Sequence, residues 1–498
     1  MMMSRPLAAL FAAAILSAPV LAQTISEGAQ VTAEDYRRQG QAELARLKAA
    51  RPVTGRAKNV IIFIGDGMGV STLTAARIYE GQKLGRDGES FVTAMDSLSY
   101  AALVKTYSHD TQVADSAPTA SAILGGVKLR NGVIGLGPEA LENDCAGSKG
   151  KDVPTIFDFA QSTGRATGVI TTARITHATP AAAYAHTPQR DWEASVPDGA
   201  QACLDIGRQL VEGKVGAALD VILGGGRSYM MPATMADPEY PDVKGKRTDG
   251  RDLTAAWAAA HPTGHYVWNA VDFAKLDPAS PGKIMGLFEP DHMRYEADRA
   301  GDKAGEPSLA LMTRTAIRKL SANKKGYVLL IEGGRIDHGH HAGNARRALE
   351  DAVALDHAVH AALQTVNLKD TLVLVTSDHS HTLVMSGYPI RGNPILGVVR
   401  NVDGTLAKGD DGKAYTTLGY TNGPGAVTVP RPDPATLDTT ALAYKQQALV
   451  PLSSETHGGE DVAVRASGPG AYLFRGTIEQ HSIFHIVKAA MTAKVGAR

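Results

Sequence analysis

Ile331-Glu332-Gly333-Gly334-Arg335-Ile336-Asp337-His338-Gly339-His340-His341 is the densest cluster of chemistry-bearing residues in the sequence. It sets two acids and three histidines behind an apolar run, residues 327–331. Carboxylate oxygens and imidazole nitrogens are the donors that divalent metals take. Asp337 and His341 stand four apart, so on a helix they share a face and can hold one ion. A metal site of this kind points to a hydrolytic enzyme.

Further segments carry comparable chemistry. Gly65-Asp66-Gly67-Met68-Gly69 surrounds an acid with glycines, which permit a tight turn and close approach of an ion. Asp115-Ser116-Ala117-Pro118 places a serine at the start of a helix running toward Leu124. A helix N-terminus offers free amides and a favourable field to phosphate; the plain alternative for Ser116 is an N-cap. Asp378-His379, with His381 close by, and Glu455-Thr456-His457-Gly458-Gly459-Glu460-Asp461 complete the set.

These residues need a frame that delivers them to one place. Residues 59–64, 166–170, 221–223, 327–331 and 372–375 are short Val/Ile/Leu-rich runs, as expected of strands buried on both faces. Helical periodicity separates several of them, as in 345–363. Alternating strand and helix predicts an α/β fold, doubly wound, with a mostly parallel central sheet flanked by helices. Asp66, Glu332 and Asp378 each follow a strand, and ligands bind beyond the carboxyl ends of strands in such sheets. Helix capping accounts for one such acid easily, but for three acids plus histidines poorly. Residues 23–56 read as an N-terminal helical arm, and 57–498 as one catalytic domain. Residues 385–450, rich in Gly, Pro, Asp, Asn and Thr, read as a loop-rich, crown-like insertion with a few short strands.

The chain has 498 residues, with 51 Lys+Arg against 51 Asp+Glu. Bulk charge therefore gives no argument for nucleic acid or an anionic membrane surface. Arg5, the apolar stretch 7–20 and Val20-Leu21-Ala22 before Gln23 read as a signal peptide, residues 1–22, for export to the periplasm or medium. The alternative, a membrane anchor, is disfavoured by the length of the stretch. No later stretch approaches a membrane span, and the C-terminus carries no anchor signal. Cys145 and Cys203 read as a disulfide in an exported chain, against two free buried thiols.

Together the segments from about residue 58 onward resemble the alkaline phosphatase family. The wording is closer to the animal-type branch than to the enteric bacterial type, with His177 and His338 where the latter carries an acid and a lysine. The resemblance implies that Asp337, His341 and His457 bind one zinc, and that Asp378, His379 and Asp66 bind a second. Asp66, Thr179 and Glu332 would share a magnesium. Ser116 would be the nucleophile, Arg190 the phosphate clamp, and Asp115 would orient Arg190 or the Ser116 loop, with helix capping its plain alternative. His177 and His338 would lie behind the ligands, and His340 and His381 would be supporting or surface residues. Glu239, Phe288 through its carbonyl, Glu289 and Glu306 match a candidate calcium site of the animal-type branch, with exposed loop carboxylates as the alternative. The two cysteines fall where that branch has a disulfide.

Two zinc ions can stabilise attacking and leaving oxygens together, so no Ser-His-Asp triad is needed. The expected activity is hydrolysis of small phosphate monoesters through a phosphoserine intermediate, with an alkaline optimum, by a homodimer. The rivals are a phosphodiesterase or sulfatase of the same metalloenzyme superfamily, or a metal- or phosphate-binding protein without turnover.

Overall fold

A computed structural model describes residues 31–493. The 1–22 segment lies outside the described residues. Fifteen strands are named in chain order. β1 to β8 are Asn59–Gly65, Tyr100–Lys105, Ala166–Arg174, Val221–Gly225, His265–Val267, Ile284–Leu287, Tyr327–Gly333 and Thr371–Ser377. β9 to β15 are Ser380–His381, Leu383–Met385, Leu418–Gly423, Ala448–Pro451, His457–Gly458, Val462–Ser467 and Thr477–Glu479.

Ten of them form one sheet in the order β15-β2-β14-β8-β1-β7-β3-β4-β6-β5. Only β14 runs antiparallel to its neighbours, β8 and β2. The central strands are continuous apolar runs because both their faces are covered. On β1, Val60, Ile62 and Ile64 pack into the core on one face, and Ile61 and Phe63 into the core on the other. Helices Ser116–Gly125 and Ser482–Thr492 contribute to the first core. Helices Val70–Lys83, Leu309–Leu320 and Ala345–Leu363 contribute to the second.

The register fixes where the acids emerge. Ile64 pairs with Glu332 across β1 and β7, and Gly65 with Ser377 across β1 and β8. Thr171 of β3 pairs with Glu332 from the other side. β8, β1 and β7 therefore end at the same level, with Thr171 of β3 beside them, and the residues that follow the three lie close together.

The region 385–450 holds little regular structure; β10 and β12 at its borders pair with β11 within it to form a small sheet of their own. Ahead of β1, helix Ala33–Ala49 starts in a capping box between Thr32 and Asp35 and buries none of its residues. No helix among the described residues is long and apolar enough to cross a membrane.

Candidate active site

Asp66 follows β1 in a turn that only glycine tolerates. Gly67 has φ +65°, and a Cβ there would lie 2.4 Å from the His381 ring. The Gly67 amide donates to Asp378 Oδ1 at 3.1 Å, tying the end of β1 to the end of β8. Three groups of donor atoms result, each within 4.8 Å. The first is Asp337, His341, His381 and His457; the second Asp66, Asp378 and His379; the third Asp66, His177 and Glu332.

The first group is built on helix Arg335–His341. Asp337 Oδ1 lies 3.3 Å from His341 Nε2 and 3.4 Å from His457 Nε2. His457 reaches it because β13 pairs with β9, setting His457 opposite His381. The sequence suggests supporting or surface positions for His381 and His340, and for both a surface position is incorrect. Both are buried: His340 bonds Thr72 and Tyr420, and His381 Nε2 lies 2.7 Å from Asp337 Oδ1. Glu455 holds the other His381 nitrogen. The alternation in Asp378-His379-Ser380-His381 was the available signal, since residues two apart on a strand share a face.

The second group surrounds Ser116. Its hydroxyl donates toward Asp66 Oδ1 at 3.3 Å and lies 3.1 Å from His379 Nε2. Ser116 is the first residue of its helix, and Asp115 is the cap, accepting from the Ala117 amide at 2.6 Å. The same Asp115 carboxylate bonds Arg190 Nη1 at 3.1 Å. Arg190 Nη2 lies 3.0 Å from His177 Nε2.

The third group contains buried polar atoms without hydrogen-bond partners, Asp66 Oδ2, Glu332 Oε1 and His177 Nδ1, and Thr179 Oγ1 is likewise buried and unpartnered. Such atoms are costly unless something binds them, and the three grouped together fit a cation. His177 thus stands inside a donor group. His338 does not: its ring packs 5.5 Å from His177 and 4.0 Å from His292. No pattern marked His292 in the sequence.

The protonation balance reflects crowding. Burial, then the Asp378 and Asp337 charges, push Asp66 up to about 7. Glu332 is held well above the carboxylate range by burial and the Asp66 charge. Burial works against a charged His379, but the Asp378 and Asp66 carboxylates outweigh it and raise the ring to about 10. His177 is held well below the usual imidazole range by burial and the Arg190 charge. A bound cation relieves all these acids at once.

The candidate calcium residues lie elsewhere, at the end of β6. Glu289 and Glu306 are buried rather than exposed loop carboxylates, and Asp302, which the sequence did not single out, joins them. Glu289 accepts from Arg294 Nε at 2.8 Å, Glu306 from the Arg294 amide at 3.0 Å, and Glu239 from the Ala304 amide at 3.0 Å. The Phe288 ring is buried against Phe273. Cys145 and Cys203 are joined in a disulfide, packed with Trp192 and Ala200 close after Arg190.

The family model described as alkaline phosphatase matches residues 57–493. The chain is 46% identical over 446 residues to the tissue-nonspecific alkaline phosphatase isozyme of Gallus gallus, covering 87% of this chain and 84% of that protein. It is 44% identical over 468 residues to the corresponding Rattus norvegicus isozyme, covering 91% and 88%. The crystal structure of Thermus thermophilus alkaline phosphatase superposes with TM-score 0.63 at 24% identity, over 90% of this chain and 94% of that one.

Proposed function

The chain belongs to the alkaline phosphatase family, and we propose that Ser116 is the nucleophile of its phosphate monoester hydrolysis, beside two zinc ions and one magnesium ion. The observation that carries this reading is the position of the Ser116 hydroxyl, 3.1 Å from His379 Nε2 and 3.3 Å from Asp66 Oδ1. Mixed carboxylate and imidazole donors suit zinc: Asp337, His341 and His457 for one ion, Asp66, Asp378 and His379 for the other. The unpartnered oxygens of Asp66, Thr179 and Glu332 suit magnesium, with His177 beside them. Bound there, the ions supply charge that lowers the serine pKa and screens the departing oxygen.

The chain's own residues do the rest. The start of helix Ser116–Gly125 presents Ser116 where backbone amides favour phosphate. Ser116 Oγ bonds to phosphorus as the ester P–O bond breaks, and the alcohol leaves. Water then cleaves the resulting phosphoserine, releasing phosphate and restoring the hydroxyl. Asp115 and His177 hold Arg190, whose planar fork can grip two phosphoryl oxygens.

The domain reading follows the same lines: residues 57–498 form the catalytic unit, 385–450 its insertion, and the 23–56 arm and insertion meet a second copy in a homodimer. The exposed helix Ala33–Ala49 supports this reading. Residues 1–22 direct export to the periplasm or medium. Calcium is proposed for Glu239, the Phe288 carbonyl, Glu289 and Glu306, with Asp302 as an added donor whose Oδ2 is buried and unpartnered.

The test is a paired assay of monoester, diester and sulfate ester, with and without chelator, on the wild type and Ser116→Ala. We expect chelator-sensitive monoester turnover in the wild type, and a loss on the order of a thousandfold or more in Ser116→Ala with metal content retained. Equal turnover in the variant overturns the nucleophile, and preference for diester or sulfate overturns the substrate class.

A further inference from the structure

We propose that Glu193 is a positioning residue for substrate phosphate, fixing Arg190 against His177 from behind; this rests on Arg190 being the phosphate clamp. Glu193 lies three residues after Arg190 and is 5% exposed. It accepts two bonds from Arg174, at 2.9 Å from Nε and 2.7 Å from Nη2. It also accepts the Thr176 hydroxyl proton at 2.6 Å. Arg174 ends β3, and Thr176 immediately precedes His177.

The topology of these bonds is the argument. Arg190 and His177 touch at 3.0 Å, and each belongs to a different segment. Glu193 staples the two segments together, one residue before His177 on the first and three residues after Arg190 on the second. Its backbone carbonyl also accepts the Gly207 amide at 2.9 Å, and the adjoining Trp192 packs on the Cys145–Cys203 disulfide. Arg174 spends its remaining donor on Asp291 at 2.7 Å and on His292, whose ring lies 5.4 Å from His177. A guanidinium meant to meet two oxygens depends on orientation, so a small shift of its segment weakens the grip without touching the nucleophile.

The experiment is a double-mutant cycle on the full, metal-loaded protein: Glu193→Gln, Arg190→Ala and both together, reading KM, kcat, inhibition by inorganic phosphate, metal content and Tm. In the Arg190-containing background, Glu193→Gln should raise KM and the phosphate inhibition constant about fivefold to tenfold, with kcat and metal content kept. In the Arg190→Ala background the same change should alter them less than about twofold. Equal effects in both backgrounds make Glu193 a general stabiliser and overturn the proposal. An unchanged phosphate inhibition constant in Arg190→Ala alone overturns the clamp reading instead. Thr176→Val, which removes the hydroxyl at constant shape, should give a smaller shift of the same sign and serves if Glu193→Gln does not fold; no shift in it counts against the brace.

Discussion

His381 Nε2 lies 2.7 Å from Asp337 Oδ1, the same oxygen that faces His341 and His457. Glu455 grips the other ring nitrogen, so the imidazole cannot turn. The Asp337 carboxylate is thereby held with that oxygen aimed between two further imidazoles. Groups that orient a ligand in this way typically contribute tenfold to a hundredfold to metal affinity.

His381→Ala should therefore weaken zinc retention at the Asp337–His341–His457 group by about tenfold to a hundredfold, measured by competition with a chromogenic chelator. The Asp66–Asp378–His379 group, on different elements, should keep its ion. Unchanged affinity at both would remove the orienting role from His381.

Protons should compete with metal at the second group. With the ion absent, the Asp378 and Asp66 carboxylates raise His379 to about 10 despite its burial. A ring must lose its proton before it can ligate, so apparent affinity should climb as pH rises toward that value. At pH 7.5, loading the metal-free protein should release about one proton from His379. Calorimetry in two buffers of different ionisation heat reads this directly, and zero release would contradict it.

Much of this site was legible because its residues sit at strand ends. Continuous apolar runs marked β1, β3, β4, β7 and β8, and the acids followed them in sequence. What was hidden depended on long-range pairing. β2 and β14 lie toward one side of the sheet; β2 alternates in burial, and Arg465 interrupts the apolar run of β14. His381 owes its place to the β9–β13 pairing, which sets it opposite His457 far along the chain, and His292 to its packing between His177 and His338. Asp302 and Glu193 are ordinary loop acids until the chain folds back upon them.

The Cys145–Cys203 disulfide spans 58 residues of sequence and anchors the segment that carries Arg190. Closing a loop of that length restricts the unfolded chain by about 4 kcal/mol in the chain-entropy treatment. Replacing both cysteines by serine should lower Tm and stability by up to about that amount, with zinc content unchanged. An unaltered denaturation midpoint would count against a stabilising bridge.

The acids near β6 give the last prediction, and its sign follows from linkage. Burial, with the charges of Glu289 and Asp302, pushes Glu306 up to about 9 from an ordinary 4.5. Burial and its acidic neighbours raise Glu289 to about 7. Between 4.5 and these values the folded calcium-free protein binds more protons than the unfolded chain, so its stability should fall as pH rises through that window. Calcium favours the ionised carboxylates and should cancel the fall. With zinc and magnesium saturated, the Tm gain from added calcium should exceed that at pH 6 by at least about 2 °C at pH 9. Glu306→Gln should flatten the pH dependence of the calcium-free protein. A calcium effect that shrinks toward pH 9 would mean that these acids do not hold the ion.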